Sequence, residues 1–241
     1  MFGTMVRHEF KNLLREKMTQ MMFVMPVLFG LVVRILAARG VIAGDSLDLV
    51  SVMLALLIGM FFGAAAGMSL LDDRDDLVLY SIQISPVSVW KYIWLKIAVT
   101  YMLALIGGML VVWISGALSM TFLQVLLVSA LSAMQVPFTA FLINTFAKNK
   151  VEGFVAMKAS GFLIIFPLVG YFFLDAKEWL FSIAPGHWAA KAVQYIALKP
   201  AIDAGAVSMN LGFFSYIAIG FVYNAAFILF TYRMFKRRNS F

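Results

Sequence analysis

The chain has 241 residues, of which 63% are hydrophobic and 13% charged, with a mean hydropathy of +0.94 and a formal charge of +7. An ordinary soluble domain carries roughly 25% charged residues, so these proportions exclude a water-soluble globule, and the abundance of Phe and Met excludes a disordered chain. No Cys is present, which excludes disulfide frameworks and thiol chemistry, and two His exclude a histidine-rich metal site.

Residues 1–19 read as a helix lying on the membrane surface. Phe2, Val6, Phe10, Leu13, Leu14 and Met18 recur at spacings of three and four, and Arg7, Glu9, Lys11, Arg15 and Glu16 fill the opposite face. The segment is too polar for the apolar region of a cleavable signal peptide. Residues 20–241 follow as a membrane domain. A helix needs about 20 apolar residues to cross the hydrocarbon, and six stretches qualify: 20–38, 49–71, 93–114, 121–146, 153–174 and 211–232. Pro26 and Arg34 interrupt the first. In the second, Gly59, Gly63 and Gly67 make two successive small-xxx-small steps, a surface on which another helix can approach closely.

The loop 72–92 is the most informative stretch outside the spans. Asp72, Asp73, Asp75 and Asp76 surround Arg74, a charge pattern suited to a helix N-terminus. Ser85-Pro86 reads as the N-cap and first position of the next helix. Between them, the apolar run 77–84 forms a short helix or a strand, and a cytoplasmic loop so apolar needs a covering surface: a partner protein, or the bilayer and neighbouring helices. The uncharged connection 115–121 must be a tight turn. Pro137 and Pro167 are expected to bend the fourth and fifth spans. Gln135, Asn144 and Asn224 are the polar side chains expected at depth, either as interhelical glue at about 1 kcal/mol each or as groups lining a pathway. The outer segment 175–207, with Trp179 and Pro185-Gly186-His187-Trp188, is longer than a turn requires and reads as a re-entrant or surface helix that could cap the mouth of a pathway.

Charge orients the chain. One side gathers Arg7, Lys11, Arg15, Lys17, Arg74, Lys91, Lys96, Lys148, Lys150, Lys158, Arg233, Lys236, Arg237 and Arg238, against Arg34, Arg39, Lys177, Lys191 and Lys199 on the other. The positive-inside rule then puts both termini in the cytoplasm, and the same distribution explains the net charge as anchoring at an anionic leaflet rather than nucleic-acid binding. Among motifs, GxxxxGK[ST], HExxH and GxSxG are missing, so the chain has no ATP cradle of its own and no hydrolase signature. No charge sits at a span's centre, as ion-coupled pumps require; Lys158 comes nearest. Asp72 to Asp76 does satisfy DDxxD, which in a membrane prenyltransferase would hold Mg²⁺ and a diphosphate. A second acidic cluster on that face is lacking, with only Glu9, Glu16 and Glu152 available. A secondary transporter is the third reading.

The whole layout resembles the type-2 ABC transporter permeases: an amphipathic N-terminal helix, six spans, an acidic loop running into Ile84-Ser85-Pro86-Val87-Ser88-Val89-Trp90, and a long outer segment before the last span. The run Lys148-Asn149-Lys150-Val151-Glu152-Gly153 through Lys158, with Pro167 following, is similar to fluoroquinolone and other drug-export permeases. The resemblance implies an all-α, six-span transport subunit, not an enzyme, in the inner (cell) membrane. It would pair with a second permease, identical or homologous, and dock on a cytoplasmic ATP-binding subunit that carries ATP and Mg²⁺, with no cofactor on this chain. The short helix in the 72–92 loop would be the coupling helix, with Asp72, Asp73, Asp75, Asp76 and Tyr80 as contacts and Pro86 as a hinge stop. The substrate implied is an amphipathic drug, lipid-like molecule or peptide moving outward. Family members often have Glu in this loop, where this chain has only Asp.

Overall fold

Within hydrocarbon no water satisfies backbone N–H and C=O groups, so apolar stretches of this length close their hydrogen bonds inside helices. The computed structural model describes residues 17–84 and 86–239, with side chains from Val24 onward. The elements are α1 (Lys17–Ala38), α2 (Asp45–Asp75), α3 (Val78–Gln83), α4 (Val89–Ser115), α5 (Phe122–Ala133), α6 (Gln135–Phe146), α7 (Lys150–Ala159), α8 (Phe162–Tyr171), a 3₁₀ turn (Ala176–Phe181), α9 (His187–Ala197), α10 (Lys199–Asp203) and α11 (Phe213–Arg238). Most of the amphipathic helix expected over 1–19 lies outside the described residues, as does Ser85.

Among the described residues five rods are long and apolar enough to cross a bilayer: α2, α4, α5–α6, α7–α8 and α11. A shorter apolar stretch in α1, Val24–Ala38, makes the sixth. No strand occurs among the described residues. The chain is an all-α membrane protein. The uncharged 115–121 connection works because Gly116 adopts a left-handed conformation (φ 58) that closes α4, and Thr121 with Gln124 forms a reciprocal capping box that opens α5.

Helix α2 occupies the centre of the bundle, packed against α6, α4 and α9. Its glycine stripe makes this possible. A Cβ on Gly59 would overlap the Ser132 carbonyl, one on Gly63 would lie 2.8 Å from Thr139 Cβ, and one on Gly67 would lie 2.9 Å from Ile143 Cδ1. The close approach is therefore made to α5 and α6 of the same chain. The α5–α6 rod breaks at Met134, next to Ala133, whose carbonyl Pro137 cannot bond because it lacks an N–H. The fifth rod departs from expectation. Its break falls at Ser160-Gly161, between α7 and α8, and Pro167 lies inside α8.

Two further expectations in the 72–92 loop are corrected. The aspartates do not open the short helix; they end α2, with Asp76 as its C-cap. An acidic cluster is unfavourable at that end of a helix dipole, and cations from distant helices compensate it. The next helix does not start at Pro86 either. It starts at Val89 after an extended Ser88, where burial begins with Val89 and Ile93.

Candidate functional site

At the end of the bundle that carries the C-terminal basic run, the last turn of α2 is held by side chains from three other segments. Lys96 Nζ of α4 lies 2.5 Å from Asp73 Oδ2 and also donates to the Ser69 carbonyl at 3.2 Å. The Tyr92 hydroxyl donates to the same Asp73 oxygen at 3.0 Å. Lys150 Nζ, at the start of α7, pairs with Asp72 Oδ1 at 2.9 Å. Arg74 donates to the Ala147 carbonyl (3.3 Å) and to Asn239 Oδ1 (2.8 Å), and Arg238 donates to the Thr145 carbonyl (2.7 Å). Asp72 and Asp73 thus face inward onto lysines, while Asp75 and Asp76 face solvent. The convergence of carboxylates that a DDxxD diphosphate site needs is not formed. Among the described residues no group of three or more His, Cys, Asp or Glu could hold a metal ion.

Beyond Asp76 the chain reverses at Leu77, the one non-glycine among the described residues with positive φ (59). A left-handed leucine costs roughly 1–2 kcal/mol, so the packing around it must enforce this turn. Leu79 supplies part of that packing, buried with Val89 and Ile93 in the main core. On the other side of α3, Leu77, Tyr80 and Ile84 are 60%, 55% and 92% exposed. Tyr80 and Ile84, four apart, share one face, and Leu77 stands at the left-handed start of the helix next to the solvent-facing Asp75 and Asp76. Pro86 is exposed in the bend that follows. The result is a finger with an anchored inner side and an apolar, acid-edged outer side.

The polar residues expected at depth behave differently from one another. Asn144 Nδ2 donates to the Gly67 and Ala140 carbonyls (2.8 and 2.9 Å), and Asn224 Nδ2 to the Pro185 and Gly220 carbonyls (3.2 and 2.9 Å). Both join helices. Gln135, buried at the α5–α6 break, has neither amide atom bonded. None of the three lines the groove of about 640 Å³ between α6 and α7–α8, which is walled by Leu142, Phe146, Val155 and Phe162, with Glu152 and Ser160 as its polar lining.

Sequence reasoning missed a second polar centre, at the opposite end. Glu178 of the 3₁₀ turn and Lys191 of α9 form a fully buried ion pair, Nζ to Oε2 2.8 Å. Lys191 also donates to Gln194 Oε1 (2.9 Å) and to the Phe173 carbonyl (2.5 Å). The Tyr216 hydroxyl of α11 donates to Glu178 Oε1 (2.9 Å), and Gln194 Nε2 to the Tyr171 carbonyl (2.6 Å). His187, one turn earlier on the same face, is buried with neither ring nitrogen bonded. A signal existed: His187, Lys191 and Gln194 recur at i, i+4 and i+7 on an alanine-rich helix, a polar stripe that an inward face must satisfy.

The model of the family described as fluoroquinolones export permease protein Rv2686c-like matches residues 9–232. Fluoroquinolones export permease protein Rv2686c of Mycobacterium tuberculosis is 27% identical over 183 residues, covering 74% of this chain and 67% of the relative. Fluoroquinolones export permease protein MT2760, from another strain of that organism, matches to the same extent. A match over nearly the whole chain decides membership: this multi-pass membrane protein belongs to the Rv2686c-like fluoroquinolones export permease family.

Proposed function

We propose that the chain is the membrane subunit of an ATP-binding cassette exporter, that it pairs with a second permease of the same or homologous sequence, and that it expels amphipathic aromatic drugs of the fluoroquinolone kind. The finger is the observation that carries this reading. Leu77, Tyr80 and Ile84 present apolar surface in water beside Asp75 and Asp76, held by a strained reversal, and an exposed apolar patch rimmed by charge fits a protein partner. That partner would be the cytoplasmic ATPase, which keeps ATP and Mg²⁺ on itself; the permease contributes different binding in two states rather than bond chemistry. The basic residues gathered at the finger's end of the bundle favour a cytoplasmic position for the finger and both termini.

The contact set narrows under this reading. Asp75, Asp76, Leu77, Tyr80 and Ile84 would meet the ATPase, whereas Asp72 and Asp73 carry its push into α7 and α4 through Lys150 and Lys96. Pro86 ends the finger and lets it pivot against α4. The relatives' names supply the drug class, and the groove beside α6 has the size and apolar lining that such a molecule needs. Copurification in mild detergent with the ATPase, followed by ATP-dependent fluoroquinolone efflux, tests the proposal. Tyr80→Asp with Ile84→Asp should abolish both while membrane insertion persists. Undiminished association in that variant removes the finger from the interface, and no ATP-dependent efflux by the wild-type pair removes the transport reading.

A further inference from the structure

The segment between α8 and α11 does not lie over the bundle; it enters it. At its tip, a Cβ on Gly186 would lie 2.8 Å from Leu56 Cδ2 and 3.1 Å from the Leu163 carbonyl, and a Cβ on Gly220 would lie 2.7 Å from Trp188 Cβ. Leu56 lies about three turns inside the start of α2 and Gly220 about two turns inside the start of α11, so 185–188 reaches into the membrane-spanning layer, and α9 climbs back out between α2, α8 and α11. Glu178 on the descending limb and Lys191 on the ascending limb close this hairpin on itself. Tyr216 ties the pair to α11, and the Phe173 and Tyr171 carbonyls tie it to the end of α8.

We infer that Glu178 and Lys191 are positioning residues for transport, an ionic latch that holds the re-entrant hairpin in the bundle and must part for a molecule to leave at that end. This rests on reading the chain as a transporter that alternates between two states. The physical argument is about what an ion pair does that apolar contacts do not. A dry ion pair is poor static glue, because well-packed apolar residues hold a site as firmly or more so. It makes the hairpin two-state instead: dry and paired, or wet and apart, since separation without water leaves each ion unsolvated. In the closed form Lys191 donates two hydrogen bonds, to the Phe173 carbonyl and Gln194 Oε1, beside its ion pair with Glu178, so that state is well defined. Opening has its own reward, because His187 and the Trp188 indole N–H, both unbonded when buried, would gain water.

The absence of native Cys makes the test direct. Ala192, fully buried on α9, is replaced by Cys, and its labelling by a hydrophilic maleimide is timed in nanodiscs, alongside fluoroquinolone efflux with the ATPase. Lys191→Met and Glu178→Gln should each speed labelling at least tenfold. Glu178→Met with Lys191→Met, which strands no buried charge and so folds, should restore protection yet lower efflux at least tenfold, because the hairpin no longer has a wet alternative. If the double variant exports normally, the pair is packing and the latch is refuted; unchanged labelling in both single variants refutes it as well. Labelling that responds as expected in a protein with no ATP-dependent efflux would leave the latch standing and overturn the proposed function instead.

Discussion

The two ends of the molecule use the same chemistry in opposite surroundings. At the finger's end, Asp72 and Lys150 have side chains 29% and 56% exposed, and the pair can be made or broken at little expense because water solvates either form. At the hairpin's end, Glu178 and Lys191 are 0% and 2% exposed, and neither ion has water to fall back on. Asp73 with Lys96 lies between these extremes. A Lys–carboxylate distance alone therefore says little about function. Exposure decides whether a pair is a loose joint or a lock.

The largest effect should come from breaking the dry pair on one side. Lys191→Met leaves the Glu178 carboxylate buried without its counter-ion, and the expected destabilisation is about 3–5 kcal/mol, read as a lowered unfolding midpoint in nanodiscs. Asp73→Asn comes next: Lys96 keeps its bond to the Ser69 carbonyl, so the loss should be about 2 kcal/mol.

These differences also mark what the sequence can disclose. The six apolar stretches were readable because a bilayer leaves the backbone no alternative to helix. The Gly59, Gly63 and Gly67 stripe was readable as a close-packing face for the same kind of reason, since it follows from side-chain size at helical spacing. The position of the aspartates was not. A local dipole argument is worth under about 1 kcal/mol, and it was outweighed by Lys96, 23 residues from Asp73, and by Lys150. Leu77's reversal was equally hidden, since no propensity assigns a leucine to left-handed backbone. The outer segment was readable as a re-entrant or surface helix, but the burial and pairing of Glu178 with Lys191 were not, because the two meet only once the segment has folded inward. Only the His187, Lys191 and Gln194 spacing hinted at that burial, and a spacing names a face without naming what covers that face.

The smallest expected effect is also the most discriminating. Asp72→Asn removes a pair whose lysine is open to solvent, and exposed pairs are screened within a Debye length of about 8 Å at physiological salt. Its unfolding midpoint should match the wild type at high salt and fall only marginally at low salt. Efflux, in contrast, should drop, because Lys150 begins α7 and Asp72 is the link between that helix and the base of the finger. A substitution that leaves stability intact while slowing transport is the signature of a joint. If Asp72→Asn instead unfolded the protein as readily as Lys191→Met, exposure would have no bearing on what these pairs do, and the contrast between a wet moving end and a dry locked end would fail with it.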